Sequence, residues 1–246
     1  EGDMSYLVKN SVNSNYEMEV DYDRLSIKMK MPQGEMDFNS EKQDEDDIFS
    51  TILKEMLNKP FHVTMTQKGK VLAVKNIDAL FESVFSKFSE IPEAQLAQIK
   101  AQLEKSYGES GFKGNIEVVT SIFPDKPVAI GDQWTIETKL ESGMTANVTT
   151  IYKYAEKKSN HVLITGNSKI KTVDTDEYIE SNGMEIKLDL TGSMVSEVKI
   201  DPKTGWIIEA KVNQELTGDN AIKPNAQIPD GMTIPMTMKT ESIITN

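Results

Sequence analysis

The segment SIFPDKPVAIGDQWTI, residues 121–136, divides this chain of 246 residues into two parts of different character. It holds two prolines, an Ile-Gly-Asp turn and Trp134, which is one of only two tryptophans. Before it, several stretches carry apolar residues at helical spacing. After it, apolar residues alternate almost purely with a period of two, which is typical of strands. We therefore predict that residues 121–136 form a turn-rich hinge between a helix-bearing part and an all-strand part.

The first part opens with strands. Residues 16–22 place apolar side chains at alternate positions, and residues 25–31 do the same in the opposite phase. A strand changes phase where an extra residue is inserted, so the sequence predicts a bulge, or a sharp bend between two strands, at Asp23-Arg24.

Three later stretches of the first part have the spacing of amphipathic helices, with apolar residues recurring about every 3.6 positions. Asp47 and Asn76 stand where the capping residues of two of these helices are expected. Together the stretches predict a helical insertion over about residues 47–108, which also contains a hairpin that turns at Gly69. Residues 116–122 fit either a strand or a short helix.

The second part, residues 134–246, is predicted to consist of strands. Asp201-Pro-Lys-Thr-Gly205 fits a type I turn followed by a left-handed glycine, a common way to close a hairpin. Over the whole chain, about ten strands joined mostly by hairpins indicate a mainly antiparallel sheet. We predict an α+β fold in one β-rich domain, residues 1–246, with a curved sheet, half-barrel or sandwich-like, and an inserted helical segment.

Composition excludes several classes of function. The net charge of −12 repels the phosphate backbone, so we expect no nucleic-acid partner. The chain has no cysteine, which rules out thiolate nucleophiles and cysteine metal sites, and we expect no cofactor. No apolar run is long enough to span a bilayer, so we expect no transmembrane segment.

The two histidines, His62 and His161, lie about a hundred residues apart. We interpret them as two surface imidazoles, with a shared site across strands as the alternative. No metalloprotease, nucleophile-elbow or phosphate-loop string occurs, so we assign no catalytic residue and no metal ligand.

Acidic residues are too frequent for any one pair to indicate a site. The run over residues 41–47 resembles a fragment of a calcium loop, but we interpret it as a solvated loop whose Asp47 caps a helix. A second acidic group comprises Asp174, Asp176, Glu177 and Glu180. We interpret it as a loop between strands, with calcium binding or acid–base catalysis as the alternative.

The chain contains 13 methionines, and many alternate along predicted strands. Methionine is flexible and polarizable, so it fills cores, and a concave face lined by it can accept apolar ligands of variable shape. Core filling is the default interpretation. The candidate ligand-facing residues are Met29, Met31, Met65, Met236 and Met238.

Residues 58–81, NKPFHVTMTQKGKVLAVKNIDALF, and residues 123–136, FPDKPVAIGDQWTI, resemble an uncharacterised family of envelope lipoproteins from Bacteroidota. That family has a Lys-Gly-Lys-Val hairpin followed by a helix and then a Pro-x-x-Pro-Val-x-x-Gly-Asp-x-Trp segment. The resemblance extends over most of the chain from about Tyr16 onward.

The resemblance implies a secreted protein, periplasmic or on the cell surface, whose signal peptide and lipid anchor are absent from this chain. It implies no activity and no catalytic residues. The matching positions are interpreted as structural, with glycines in turns and both tryptophans in the core: Gly69, Pro124, Pro127, Gly131, Asp132, Trp134, Gly205 and Trp206.

From these observations we expect a non-enzymatic envelope protein that binds a lipid or another apolar small molecule in the concave face of its sheet. The alternative is a structural module that binds another envelope protein through a sheet edge or an acidic face. A glycan or peptide hydrolase is the third hypothesis, and it requires distant carboxylates to meet in an aromatic cleft.

Overall fold

The computed structural model describes residues 2–31, 34–44, 47–140, 145–173, 178–181, 184–226 and 228–245. The chain divides into two compact units, Glu1–Glu117 and Val118–Asn246. The expectation of one domain stays a prediction. The division falls just before the predicted hinge.

The first unit contains a five-stranded antiparallel sheet and most of the helical residues. Its strands run in the order β1-β2-β4-β5, and β3 also pairs with β2. The elements are β1 Gly2–Val12, β2 Asn15–Met31, β3 Gly34–Asn39, α1 Ile48–Glu55, β4 Phe61–Thr66, β5 Val71–Lys75, α2 Ile77–Phe85, a 3₁₀ turn Ser86–Phe88, α3 Glu93–Tyr107 and α4 Glu109–Thr120.

The predicted phase change in the first unit is a β-bulge. Asp3 pairs with Arg24 and Met4 pairs with Tyr22, so Asp23 has no opposite residue. Tyr22 and Leu25 are both buried although their positions differ in parity. The bulge prediction is confirmed, and the two predicted strands are one continuous strand, β2.

The core of the first unit joins the helices to the sheet through aromatic side chains. Phe61 lies 5.3 Å from Tyr22 and 5.1 Å from Phe112, measured between ring centroids. The Tyr22 hydroxyl donates a hydrogen bond of 2.9 Å to the carbonyl oxygen of Tyr107. Burial of these rings away from water is the main stabilising contribution of this packing.

The helical insertion is confirmed in outline, and it differs in two details. Helices continue beyond residue 108, because Gly108 ends α3 in an extended conformation and α4 begins at the next residue. Asp47 caps α1 as predicted, accepting from the backbone N–H of Ser50 at 3.0 Å. Asn76 makes no side-chain cap for α2, and its amide group instead lies 3.3 Å from Nδ1 of His62.

The hinge is turn-rich, as predicted. Residues 121–132, which follow α4, belong to no helix or strand. Gly131 has a φ of 98°, which favours glycine, and its N–H donates to the carbonyl oxygen of Tyr154 at 2.8 Å. The Trp134 indole N–H donates to the carbonyl oxygen of Ile122 at 2.9 Å, and its ring stacks on Tyr152. Trp134 therefore attaches the hinge to the sheet that follows.

The second unit is built on a seven-stranded antiparallel sheet with the order β12-β11-β10-β8-β7-β6, in which β9 pairs with β10. The strands are β6 Gln133–Leu140, β7 Ala146–Lys157, β8 Val162–Thr172, β9 Ile179–Ser181, β10 Met184–Ile200, β11 Ile207–Ile222 and β12 Met232–Thr245. With its two open, mainly antiparallel sheets and a few helices, the chain confirms the predicted α+β class.

Alternation gives the seven-stranded sheet a buried face and an exposed face. Along β7, for example, Val148 and Tyr152 are buried whereas Thr149 and Ile151 are exposed. We call the buried side the inner face and the other side the outer face. The inner face carries the hydrophobic core of this unit, so its register across the strands is strongly specified.

Candidate functional site

The inner face of the seven-stranded sheet does not end at its buried core but continues onto the edge strand β12. Leu216 pairs with Met238 and Ile222 pairs with Met232, and paired residues of antiparallel strands lie on one face. Leu216 and Ile222 are buried, which assigns their partners to the inner face. The inner-face residues at this end of β12 form what we call the β12 apolar strip: Met232, Ile234, Met236 and Met238.

The β12 apolar strip is only partly covered. Met236 and Met238 are half-buried and pack against the core of the second unit. Met232 is 45% exposed and Ile234 is 42% exposed. The strip therefore joins the core to accessible apolar surface on the same face. An apolar ligand that binds there removes its own apolar surface from water, and no part of the protein has to unfold.

One polar side chain interrupts this apolar surface. Asn220 on β11 lies between Leu188 of β10 and Ile234 of β12, its partners across the sheet. Its Oδ1 atom is buried and accepts no hydrogen bond from the described residues. A buried acceptor without a donor costs about 1–3 kcal/mol, so a donor supplied at this place stabilises the protein.

The structure brings together only part of the predicted methionine set. Met236 and Met238 lie next to each other on the β12 apolar strip. Met65 belongs to the other compact unit, where its side chain is buried in the core. The side chains of Met29 and Met31 lie outside the described part of the chain.

Ile234 and Asn220 were not among the candidate residues taken from the sequence. The alternation from Met232 to Met238 in the sequence was the signal for Ile234. Asn220 carried no usable signal, because the polar residues before it resemble a loop, whereas β11 continues to Ile222.

The outer face of the same sheet holds a shallow open depression of about 480 Å³ between β10, β11 and β12. All of its lining residues except Val195 are polar or charged. One ion pair crosses the depression, with Lys239 Nζ 3.1 Å from Glu215. Both side chains of that pair are more than half exposed, so water screens the pair. The depression lacks the enclosed, apolar character of most small-molecule sites. Its lining residues are Ser193, Val195, Asn213, Gln214, Glu215, Lys239, Thr240 and Glu241.

The two histidines lie in different compact units. His62 lies on β4 in the first unit, and its Nδ1 faces the Asn76 amide. His161 precedes β8 in the second unit, and its Nδ1 lies 2.9 Å from Oδ1 of Asn160. Each ring therefore has its own local partner.

The acidic groups can be compared with a metal site only where the structure describes them. Within the described ranges, no three His, Asp or Glu side chains are close enough to hold a metal ion. Asp174, Asp176 and Glu177, together with the side chain of Glu180, lie outside the described residues. In the loop that ends at Asp47, the carboxylate caps α1 and pairs with Lys42 Nζ at 3.1 Å.

The family-motif residues have mostly structural surroundings. Gly69, Gly131 and Gly205 have positive φ angles in turns. The Asp132 carboxylate accepts from the N–H of Ala129 at 2.8 Å, which closes the hinge turn that follows Pro124 and Pro127. Trp206 is 39% exposed, so the expectation that it lies in the core is wrong. It follows directly on the hairpin turn that ends at Gly205, where the sheet offers little cover.

The comparisons with known proteins identify a family without a known role. DUF6263, a family of unknown function, matches residues 13–207. No curated protein and no solved structure matches the chain. Among the described residues, no helix is long and apolar enough to cross a membrane.

Proposed function

The chain belongs to the DUF6263 family, a family of unknown function, and we propose that it is a non-enzymatic protein of the cell envelope that binds an apolar or amphiphilic ligand. The ligand binds on the inner face of the seven-stranded sheet, along the β12 apolar strip. The observation that carries this proposal is the exposure of Met232 and Ile234 on the same face as the buried core.

The chemistry of the strip favours an alkyl or acyl chain. Methionine side chains adapt to ligands of different shape, and Met236 and Met238 are accessible in part. A chain laid across the strip removes apolar surface from water at about 25 cal/mol per Å². A ligand of this class needs no charged partner for its chain, and the strip offers none.

The buried oxygen of Asn220 supports an amphiphilic ligand over a pure hydrocarbon. A small turn of its side chain presents the amide to a ligand hydroxyl or N–H near Ile234, which satisfies the acceptor. Such a contact adds selectivity to a surface that is otherwise apolar.

The envelope location rests on the resemblance of residues 58–81 and 123–136 to envelope lipoproteins. We propose that the protein is exported, periplasmic or at the cell surface, and attached to the membrane through a lipid anchor. Fractionation of the source cells with an antibody against residues of the second unit tests this, and recovery in the cytoplasmic fraction contradicts it.

Thermal unfolding of delipidated protein tests ligand binding. A ligand at a hundred times its dissociation constant stabilises the folded state by about 2.7 kcal/mol. For a chain of this size, 1 kcal/mol corresponds to about 2–4 °C. We therefore expect dodecyl maltoside below its critical micelle concentration, or laurate, to raise the Tm by about 5–10 °C.

Maltose is the matched control because it carries the same headgroup without the alkyl chain, and we expect it to leave the Tm unchanged. If no amphiphile of either type raises the Tm, or if maltose raises it equally, the ligand proposal is wrong.

A second candidate function, a module that binds another envelope protein, is favoured by the edge strand β1. Tyr6 pairs with Val20 and Val8 pairs with Met18, so both continue the core face of the five-stranded sheet. Tyr6 and Val8 are nevertheless exposed, as is Leu7 on the opposite face. An exposed apolar edge is a common site of contact with another chain.

Substitution of Tyr6 and Val8 by serine distinguishes the two functions. If β1 binds a protein partner, the double variant loses cross-links to that partner in intact cells and keeps the Tm shift with dodecyl maltoside. If instead the Tm shift is lost, the amphiphile binds at β1 and not along β12.

A further inference from the structure

The edge of β12 that points away from β11 carries no further strand in the described part of the chain. β12 ends the strand order of the seven-stranded sheet, and in the described part of the chain only β11 pairs with it. The pairing with β11 runs through all of Met232–Thr245 without a bulge, so the free edge is regular. An edge of this kind presents N–H and C=O groups to a further strand.

Pro235 limits the usable part of this edge. Proline has no N–H to donate, and it commonly protects edge strands against pairing. The segment that follows it, residues 236–244, contains no proline and no glycine. The midpoint of this segment is Thr240.

We propose that two copies of this chain pair in an antiparallel manner through residues 236–244 of β12, about a two-fold axis at Thr240. The two seven-stranded sheets then form one continuous sheet across the dimer. A two-fold axis perpendicular to the sheet keeps both inner faces on the same side, and it places residue i opposite residue 480 − i, by arithmetic from the midpoint at 240.

The charges of the edge favour this register. Lys239 of each copy lies opposite Glu241 of the other, which gives two pairs of opposite charge on the outer face. Moving the axis by one residue places either Lys239 opposite Lys239 or Glu241 opposite Glu241. Like charges directly opposite each other destabilise a strand pair, so both neighbouring registers are disfavoured.

Within its own chain, Glu241 lies opposite Asn213 and so has no cation across from it on β11. Lys239 lies opposite Glu215 and pairs with it at 3.1 Å on the exposed outer face. In the dimer the Lys239 ammonium lies between two carboxylates, one from its own β11 and one from the other copy. Lys239 of one copy thus supplies the cation that Glu241 of the other copy lacks on its own β11.

The apolar residues of the edge also become covered. In this register Met236 lies opposite Ile244 on the inner face, and Thr237 lies opposite Ile243 on the outer face. Ile243 and Ile244 are among the exposed large hydrophobic residues of the chain. Pairing of β-branched and long apolar side chains across strands is favourable.

This inference does not depend on the proposed ligand. The assembly state is read from mass, whereas the ligand is read from thermal stability and probe binding, so either proposal can fail alone. The contact is small, below about 1,200 Å², so we expect a dimer with a dissociation constant in the micromolar range.

Sedimentation equilibrium of the full chain tests the proposal, with protein concentrations up to about 0.3 mM, because complexes of micromolar affinity are fully formed there. The wild-type protein is expected to form dimers, and E241K is expected to weaken the dimer at least about tenfold, since two like-charge pairs replace two attractive ones. The double variant K239E/E241K exchanges the charges and is expected to recover most of the affinity.

E197K is the matched control because it makes the same charge change at an exposed position of the central strand β10. We expect it to leave dimerisation unchanged. A wild-type protein that stays monomeric, an E241K variant that dimerises normally, or a charge exchange that restores nothing overturns the proposal. Larger assemblies at the same edge also overturn it, because a two-fold pair closes on itself.

A single introduced cysteine tests the register, since the chain has none of its own. T240C places two thiols opposite each other at the axis and is expected to form an intermolecular disulfide under mild oxidation. S242C serves as the control, because its two copies lie about 13 Å apart along the paired strands, too far for a disulfide. If S242C cross-links as readily as T240C, the register is wrong.

Discussion

At Trp134 a single side chain connects the hinge to the sheet of the second unit. Its indole N–H reaches the Ile122 carbonyl, and its ring stacks on Tyr152 at a centroid distance of 5.9 Å. The sequence interpretation assigned Trp134 a structural place in the core, and the structure adds the polar partner that a covered indole N–H usually finds. Trp206 shows that residue type alone does not predict burial, because the burial of this side chain depends on strands far away in the sequence.

Among the contacts of single residues, those between a side chain and nearby backbone were the easiest to predict from the sequence. Asp47 caps α1 as expected because Ser50 is only three residues away. Asn76 was expected to do the same for α2, but it adopts a left-handed conformation and faces His62 on strand β4. That contact has no signal in the local sequence.

Replacement of Asp47 tests the cap and its pH dependence. Burial acts to raise the pKa of this carboxyl, but hydrogen bonds from Ser50 and from Lys42 outweigh it and hold the pKa below its ordinary value. The stabilising effect of the carboxylate is therefore full above the pKa of the unfolded chain, near 3.9, and is lost as the pH falls through the lower folded value.

We expect Asp47→Ala to lower the free energy of unfolding by about 1 kcal/mol at neutral pH. The deficit should shrink in acid, at a pH below about 4. Urea denaturation at several pH values measures both, and Asp47→Asn is the control because asparagine also caps helices. A deficit that is constant down to pH 2 contradicts this account.

Replacement of Asn220 separates stability from binding. Asn220→Leu removes a buried oxygen that has no donor among the described residues and adds apolar contact with Leu188 and Ile234. We expect it to raise the free energy of unfolding by about 1 kcal/mol and to weaken the binding of amphiphiles that carry a hydroxyl or amide.

Asn213→Leu is the control, since Asn213 lies on the same strand but on the exposed outer face. It should change the free energy of unfolding by less than about 0.5 kcal/mol. If Asn220→Leu instead lowers the free energy of unfolding, the Asn220 amide has a hydrogen-bond partner in the folded protein and the interpretation is wrong.

At the scale of elements, the bulge at Asp23 was predictable because a bulge reverses the parity of the apolar pattern on the same strand. The end of β11 was not, because Thr217, Gly218, Asp219 and Asn220 are typical of a loop. They form a strand because β10 and β12 supply hydrogen-bonded partners on both sides. Pairing between distant segments overrides local preference.

Gly192 shows how closely β10 and β11 approach each other. A Cβ atom at this position would collide with the backbone carbonyl oxygen of Glu215 on β11. We expect Gly192→Ala to lower the free energy of unfolding by about 2–4 kcal/mol, because backbone and not a flexible side chain must move.

Gly131→Ala provides the comparison, since a Cβ atom there meets open space. It should cost only about 1 kcal/mol, which comes from its positive φ. Equal effects of the two substitutions would contradict the close approach of the strands.

At the scale of the whole molecule, the α+β class and the mainly antiparallel sheets followed from periodicity and turn residues. The β12 apolar strip could be predicted from the sequence only in part. Alternation placed Met236 and Met238 on one face, but the burial of β11 was needed to show that this face is the inner one. Met65 had the same pattern in the sequence and is core, because periodicity gives a face and not its exposure.

The most direct test of the central claim is the affinity of a fluorescent fatty-acid probe for the wild-type protein and two isoleucine variants. Ile234→Gln alters the β12 apolar strip, and Ile151→Gln alters a residue of similar exposure, 49%, on the outer face of the same sheet. We expect Ile234→Gln to weaken probe binding about tenfold, which corresponds to a loss of roughly 1.4 kcal/mol of apolar contact, and Ile151→Gln to leave the binding unchanged. Equal affinities of all three proteins, or no binding by the wild type, would contradict it.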